Sequence, residues 1–354
     1  MKRIELLDAL RKVMPGIGEK NILLEGADSF MFDGGWLKTY NDSISVSYPF
    51  NSGIKCLVKA QELFKLLNLL ETDEVKILIL SDGKFQLSSG NTTLEMIVLS
   101  SEVFSSMVDN LALDSVSWIK LPEDFSKALS LSSQFAASAS VYSSLCGVSL
   151  ASNGLAASDK IKAGFYRMDI DINDEVVIPI KSVMELAKVS NLSEFSCGDS
   201  WIHFRNEEGL CFSTRKMDVD FPRQTIEGFF DFSETELMKL EICSFPEGLK
   251  LSVERAEIMS FSGDLGQDDY IELSIDSKGS LIVEGQRSYG QIREKIPESL
   301  EWSFPKGFKL MIKPQYFLSL LSLGNKFFIK DKSFILMKQD DFSCIMALVK
   351  KKKE

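Results

Sequence analysis

The chain has 354 residues, and a length of this order predicts two or three domains rather than a single hydrophobic core. Hydrophobic residues make up 45% and charged residues 26% of the sequence, a composition that excludes wholesale disorder. The formal net charge of −11 excludes nucleic-acid binding over the whole surface, although it permits a local basic lining.

Six amphipathic helices are predicted along the chain, each followed by strands of alternating polarity. They cover residues 2–14, 59–70, 123–136, 181–190, 247–260 and 313–322. In the second helix, Leu63, Leu66 and Leu67 are spaced three and four residues apart, which predicts one buried stripe. Pro122 comes directly before the third helix, and proline is favoured at the start of helices.

Three segments share one pattern, in which a short apolar strand leads into a helix and then into alternating strands. The segments are residues 56–99, 176–217 and 310–349, with Val58, Ile178 and Ile312 at equivalent positions. A related half precedes each segment, so the repeat predicts three similar domains of two halves each. The predicted domains are residues 1–117, 118–232 and 233–354, with linkers near 100–117 and 218–232.

The stretch "SNGLAASDKIKAGFYR", residues 152–167, is predicted to be the central hairpin of the second domain. Its counterparts are "DGGWLKTYNDSISV" in the first domain and "SKGSLIVEGQRSYG" in the third. Asp159 comes at the end of a predicted strand, where carboxylates commonly form turns, so we expect a turn residue rather than a catalytic one.

The order of these segments resembles the bacterial DNA polymerase sliding clamp, the DNA polymerase III beta subunit family. The likeness includes "EVVIPIKSVMELAK", "FSTRKMDVDFP" and "FKLMIKPQYFLSLLSLGN", and it extends over nearly the whole chain. It implies an α+β DNA-clamp fold, with three similar domains that each pack two helices on antiparallel sheets. It also implies a head-to-tail homodimeric ring that encircles double-stranded DNA regardless of sequence and performs no catalysis.

In that family the helices face the DNA, and phosphate contacts require Lys and Arg. The six predicted helices carry a net charge of about +3, whereas the whole chain carries −11. The residues expected to face DNA, of which Lys20 and Tyr142 come from the resemblance, are Arg3, Arg11, Lys12, Lys20, Lys65, Lys127, Tyr142, Lys188, Lys250 and Arg255.

The resemblance also implies a groove that takes short hydrophobic peptides of the replicative polymerase and the clamp loader. The matching residues are Leu145, Ile161, Lys162, Ala163, Phe229, Ile345, Met346, Leu348 and Val349. Two departures concern its specificity. Lys160-Ile161-Lys162 stands where the family commonly has Gly-His-Arg, and Ala347-Leu348-Val349 replaces Met-Pro-Met.

For the ring interface, the family pairs an edge of the first domain with the third domain of the other copy. Leu94 and Met96 are therefore expected to contact Ile258 and Met259. Ordinary core packing of these four residues is the open alternative, because Met adapts readily to core gaps.

Two other functions stay open: a clamp-fold scaffold or decoy that does not encircle DNA, and a hydrolase that uses Asp268-Asp269 or Asp340-Asp341. Catalytic signatures such as a Walker loop, G-x-S-x-G or H-E-x-x-H are absent from the sequence. Six scattered cysteines and a single histidine, His203, predict neither a metal site nor a cofactor. We expect a cytoplasmic protein without a membrane partner, since no signal-peptide pattern or long apolar run occurs.

Overall fold

The computed structural model describes residues 1–18, 24–139, 141–231, 241–246, 248–261, 269–296, 309–324, 326–330 and 333–349. The chain divides into two compact units. Unit 1 consists of Met1–Ser130 and Asp169–Asp218, and unit 2 consists of Leu131–Met168 and Val219–Glu354. Among the helices in these described ranges, none has the length and hydropathy that crossing a bilayer requires.

Eight α-helices occur in the described ranges: α1 (Arg3–Val13), α2 (Ala60–Leu69), α3 (Glu102–Asp109), α4 (Phe125–Ser133), α5 (Ile180–Leu186), α6 (Arg223–Gly228), α7 (Leu249–Glu257) and α8 (Pro314–Leu323). Six of them confirm the predicted helices. The other two, α3 and α6, lie in segments that were predicted to be linkers, so that part of the prediction was wrong. Phe104 and Val108 of α3 and Ile226 of α6 are buried, which shows that these connections pack as part of the core.

The helices form where apolar residues recur at helical spacing. In α1, Leu6, Leu10 and Val13 are fully buried, three and four residues apart. The stripe predicted for α2 is present at Leu63 and Leu67, which are buried, whereas Leu66 is only half-buried. At the start of α8, Pro314 takes a position where its missing N–H costs no hydrogen bond.

Twenty-three strands are described: β1 (Ser29–Asp33), β2 (Trp36–Tyr40), β3 (Ile44–Pro49), β4 (Lys55–Lys59), β5 (Lys76–Ile79), β6 (Phe85–Ser89), β7 (Thr92–Met96), β8 (Ile119–Lys120), β9 (Gly147–Ala151), β10 (Gly154–Ser158), β11 (Lys162–Arg167), β12 (Val176–Pro179), β13 (Leu192–Cys197), β14 (Trp201–Asn206), β15 (Cys211–Arg215), β16 (Glu241–Ser244), β17 (Ile271–Ile275), β18 (Leu281–Arg287), β19 (Gly290–Ile296), β20 (Lys309–Ile312), β21 (Lys326–Lys330), β22 (Phe334–Gln339) and β23 (Phe342–Ala347). The strand pairs whose register is described are antiparallel, as the alternating hydrophobic pattern predicts.

Unit 1 contains a continuous sheet in the order β4-β1-β2-β3-β15-β14-β13-β8 and a second sheet in the order β5-β6-β7. The core of the large sheet is aromatic, with Phe204 stacked between Phe125 of α4 and Phe195 of β13. Strand β3 pairs with β15 so that Val46 lies opposite Phe212. This pairing joins strands from the predicted first and second domains into one sheet.

Unit 2 contains a sheet in the order β9-β10-β11-β23-β22-β21-β16 and another in the order β19-β18-β17-β20. Strand β11 pairs with β23 so that Gly164 lies opposite Cys344, which joins strands of the predicted second and third domains. The predicted boundaries after residues 117 and 232 stay a prediction. Each unit nevertheless contains one junction of the same kind, made by the last strand of a first half and the last strand of a second half.

Candidate functional site

Two of the predicted DNA-facing cations are joined to residues distant in the sequence. Arg255 on α7 donates two hydrogen bonds to the carboxylate of Glu294 on β19, and this contact raises the pKa of Arg255. Lys12, at the end of α1, donates to the Tyr48 hydroxyl at 2.9 Å and to the Glu208 carboxylate. Both cations are therefore partly neutralised by their own chain.

Three further cations also have partners in their own chain. Arg11 pairs with Asp8 at 3.1 Å, and Lys188 pairs with Glu185 at 2.7 Å. Arg3 donates to backbone carbonyls at and just beyond the end of α2. Exposed ion pairs of this kind contribute about 0–1 kcal/mol, so the two that involve carboxylates can rearrange toward a phosphate at little cost.

The remaining predicted cations differ in what surrounds them. Lys65, Lys127 and Lys250 are exposed on α2, α4 and α7, and they form no ion pair within the described ranges. Lys20 lies outside the described residues. The charge most accessible to a phosphate among the predicted positions is therefore that of the three exposed lysines.

Tyr142 lies in the segment before β9, with its side chain 54% exposed. The Lys160 ammonium is 3.0 Å from the centre of its ring, and the hydrogen bond with Lys160 lowers the pKa of the Tyr142 hydroxyl. One face of the ring is thus occupied by a cation of the same chain.

The hairpin of β10 and β11 has the turn that the sequence predicted. The Asp159 carboxylate accepts hydrogen bonds from the backbone N–H groups of Ile161 and Lys162, at 3.0 and 2.8 Å. Lys160 has a positive φ of 79°, the left-handed conformation that such a turn requires. Asp159 is therefore engaged in holding the turn.

The predicted groove residues of this hairpin lie beside the predicted residues of the last strand. Lys162 is opposite Met346 and Ala163 is opposite Ile345 in the β11–β23 pairing. The carbonyl of Ile161 accepts a hydrogen bond of 2.7 Å from the N–H of residue 347. The structure thus brings together the two segments that are far apart in the sequence.

Most of the predicted groove residues are nevertheless packed against their own chain. The buried members are Leu145, Ala163, Ile345, Met346 and Leu348, each at most 7% exposed. Phe229 is 40% exposed, whereas Ile161, Lys162 and Val349 are partly exposed. A peptide at this place would contact four accessible side chains in the present conformation.

Lys162 has neighbours that the sequence analysis did not identify. Its ammonium donates to the backbone carbonyl of Gln134 and lies 4.7 Å from the centre of the Tyr316 ring. Lys313 lies 4.3 Å from the same ring. Burial lowers the pKa of Lys162. Tyr316 and Lys313 belong to the segment "IKPQYF" before and within α8, whose tyrosine was the one available signal.

Two of the four predicted interface residues lie on the edge strand β7, and the other two lie at the end of α7. Leu94 and Met96 are half-buried on β7, which is an edge strand in the described sheet of unit 1. Ile258 is 68% exposed at the end of α7, and Met259 is half-buried beside Gly290 of β19, an edge strand in unit 2.

Two exposed apolar residues next to these strands were missed. Ile97 directly follows β7, and Tyr289 directly precedes β19; each is 75% exposed. A large apolar side chain with this exposure at a strand end is typical of an interaction surface when others lie beside it. Ile97 continues the run "TTLEMIVL", so its apolar character was visible in the sequence.

The carboxylates of the hydrolase alternative that lie in described ranges take part in turns and ion pairs. Asp340 has a positive φ of 47° in the β22–β23 turn, and Asp269 pairs with Arg287. Asp268 lies outside the described residues. Within those ranges, no three His, Cys, Asp or Glu side chains come together as a group that could hold a metal ion.

No protein-family model and no curated protein sequence matches this chain. Solved structures do match over its whole length. The DNA polymerase III beta chain of Streptococcus pneumoniae aligns with a TM-score of 0.76 and 16% identity, covering 99% of this chain and 98% of that one. The DNA polymerase sliding clamp of Bacillus subtilis aligns with a TM-score of 0.75 and 15% identity over the same shares.

The beta subunit of DNA polymerase from Streptococcus pyogenes is similar to the same extent, with a TM-score of 0.74, 18% identity and coverage of 99% and 98%. The chain therefore has the fold of the bacterial sliding clamps from end to end. The resemblance predicted from the sequence is confirmed at the level of the fold.

Proposed function

We propose that the protein is a DNA polymerase processivity factor, a sliding clamp that acts without catalysis. Two copies close head to tail into a ring around duplex DNA, and short hydrophobic peptides of the replicative polymerase and the clamp loader dock on the outside. The observation that supports the proposal is a strand junction that occurs twice within the chain. Among the described residues, the two strands that would form a third such junction are both edge strands.

The two junctions are equivalent in register. In the first junction, Val46 of β3 pairs with Phe212, which in turn pairs with the buried Phe204. In the second junction, Gly164 of β11 pairs with Cys344, which in turn pairs with the buried Met337. Each strand pair is also continued by an equivalent backbone hydrogen bond. The N–H of residue 215 donates to the carbonyl of residue 43 at 3.0 Å, as that of residue 347 does to residue 161 at 2.7 Å.

The strands left over for a third junction are β19 and β7. On β19, Ile292 corresponds to Val46 of β3. Ile292 pairs with Gly285, which packs against the end of α7. Val46 likewise pairs with Thr39, which donates a hydrogen bond to the end of α1. On β7, Leu94 corresponds to Cys344, since the β6–β7 and β22–β23 hairpins both have two-residue turns.

This correspondence predicts the contacts between two copies. Ile292 of one copy lies opposite Leu94 of the other, and the exposed Ile97 and Tyr289 meet at the end of the pairing. Met96 then lies opposite Gly290, against which Met259 packs, with the Met259 Cε 3.2 Å from where a Cβ on that glycine would be. The expected contact between Leu94, Met96 and the end of α7 follows from the same register.

The test of encirclement uses the topology of the DNA. Dilute protein is mixed with a nicked circular plasmid, concentrated, and separated by gel filtration at high salt, which weakens contacts to phosphate. We expect protein to elute with the circle and to be lost once a restriction enzyme linearises it. Failure to elute with the circle, or equal retention on the linear DNA, would refute the ring.

One observation favours a second function, a clamp-fold scaffold that does not encircle DNA. Five of the predicted DNA-facing cations have partners in their own chain, which weakens the field available to attract a duplex. Replacing Lys65, Lys127 and Lys250 together by Gln separates the two functions. A sliding clamp loses salt-sensitive DNA affinity while its dimer mass stays the same, whereas a scaffold changes in neither measurement.

A further inference from the structure

An open pocket lies in unit 2 between the β10–β11 hairpin and α6. Its volume is about 360 Å³, within the range of sites that hold a small ligand or a large side chain. The lining residues are Asn153, Phe165, Arg167, Gln224, Glu227, Gly228, Phe230 and Asp231. None of them belongs to the groove that the resemblance implies.

One buried guanidinium, that of Arg223, contacts three of the lining residues. Arg223, 7% exposed, donates to the Asn153 amide oxygen at 2.5 Å and pairs with Glu227 at 2.7 Å. Its Cζ lies 5.7 Å from the centre of the Phe165 ring. Lining residues held by these contacts are organised before any ligand arrives.

The lining contains two phenylalanine rings, one cation (Arg167) and two carboxylates, those of Glu227 and Asp231. The Phe230 ring stacks on Phe165 with 6.3 Å between centroids and an interplanar angle of 17°. Phe230 is only partly buried, so it offers apolar surface to the pocket. Arg167 is exposed at the rim, and its guanidinium forms no ion pair within the described ranges, which leaves its fork available for a carboxylate.

The pocket continues the predicted groove along β11. Alternate residues of a strand share a face, so Ala163, Phe165 and Arg167 follow one another at steps of roughly 7 Å. Ala163, one of the predicted groove residues, is buried, as are its neighbours on the last strand, and Phe165 is only 5% exposed. The exposed residue of this face is Arg167, two steps from Ala163.

We propose that this pocket, rather than the groove carried over from the family, anchors the partner peptide of this protein. The ligand is a peptide segment with an aromatic side chain next to an acidic one. The aromatic ring packs on Phe230, and the carboxylate pairs with Arg167. The proposal rests on the clamp function, because it names the partner chemistry of that function.

The probe is a fluorescein-labelled Gly/Ser peptide that contains Phe-Asp, with a second probe in the order Asp-Phe and matched probes in which Asn replaces Asp. Binding to the full chain is measured by fluorescence anisotropy. We expect Arg167→Gln to weaken the acidic probe about tenfold and to leave the Asn probe unchanged, as loss of one charge-assisted pair predicts. Phe230→Ala should weaken both probes.

The matched controls are Trp36→Ala, an aromatic residue of β2 that is 40% exposed, and Lys338→Gln, an exposed cation on β22. Neither should change binding. Phe229→Ala tests the predicted groove as the competing site. Loss of binding in Phe229→Ala with none in Arg167→Gln would overturn the proposal in favour of the carried-over groove. Equal binding of the Asp and Asn probes would overturn the role of Arg167, a surface residue whose replacement leaves the core intact.

The result is separable from a failure of the clamp function itself. If the ring is retained on circular DNA and neither probe binds, the pocket proposal is wrong and the clamp function stands. If the ring is not retained while the probe binding follows Arg167 and Phe230, the pocket is a peptide site on a protein that does not encircle DNA. That outcome removes the premise that the peptide belongs to a replicative partner.

Discussion

Replacing Ile97 by Asp should open the ring that we propose. In the predicted register, Ile97 at the end of β7 meets Tyr289 at the start of β19 of the other copy, and both side chains are 75% exposed in the single chain. Their contact would cover the two largest apolar surfaces at these strand ends. A carboxylate at residue 97 would have to be buried against a tyrosine ring, close to the like charge of Glu95.

The size of the effect follows from the exposed fraction. Covering three quarters of a large apolar side chain contributes roughly 1–2 kcal/mol, and desolvation of the new carboxylate brings the loss to about 2–3 kcal/mol per interface. A closed ring of two copies has two such interfaces. The change therefore acts twice, at roughly 4–6 kcal/mol, and raises the dimer dissociation constant by about three to four orders of magnitude.

The assay is light scattering or sedimentation equilibrium over a concentration series. The unmodified chain is expected at twice 39.7 kDa, and Ile97→Asp at the monomer mass over the same concentrations. Leu69→Asp is the matched control, because Leu69 is 79% exposed on α2 and belongs to neither edge strand. Unchanged dimerisation in Ile97→Asp, or equal disruption by Leu69→Asp, would refute the reasoning.

Three further predictions come from other contacts. In the same register Glu95 and Arg293 lie diagonally on one face of the joined strands, so Glu95→Arg and Arg293→Glu should each weaken the dimer in sedimentation, and the double exchange should restore it. Burial lowers the pKa of His203, the one histidine, to about 4. The unfolded imidazole then binds a proton at a higher pH than the folded one, so unfolding free energy should fall as the pH drops from about 6.5 toward 4. At pH 4.5 the loss is about 2–3 kcal/mol relative to His203→Gln, measured by urea denaturation. Finally, Arg223→Met should lower the urea midpoint by leaving buried acceptors unpaired, whereas Lys338→Gln should not change it.

Regular helices and hairpins were predictable because their signals are local. The stripe of Leu63 and Leu67 and the turn at Asp159 each depend on residues within one or two turns of chain, and the structure contains both. Helix α3 was missed although "EVFSSMVD" has Phe104 and Val108 four residues apart. Its two turns are too short for periodicity to distinguish a helix from a linker.

The state of the candidate site was not predictable in the same way. Arg255 lost its free charge to Glu294, which is distant in sequence and is brought near only by the packing of α7 on β19. The predicted groove residue Ala163 is buried, and so is Phe165 two residues later, which lines the open pocket. The pocket is also lined by residues of α6, and α6 lies in a segment predicted to be a linker.

The internal repeat supplies information about assembly that no single motif contains. A strand edge such as β7 is ambiguous by itself, because an unpaired edge is blunted in some proteins and completed by another chain in others. The β3–β15 and β11–β23 junctions remove that ambiguity, because they show how the equivalent strands pair when a partner strand is present. The register transferred from them brings Ile97 to Tyr289 and Leu94 to Ile292, and it does so without using any exposure value. That the transferred register matches two strongly exposed apolar residues is therefore an independent argument for a second copy of the chain as the partner of these edges.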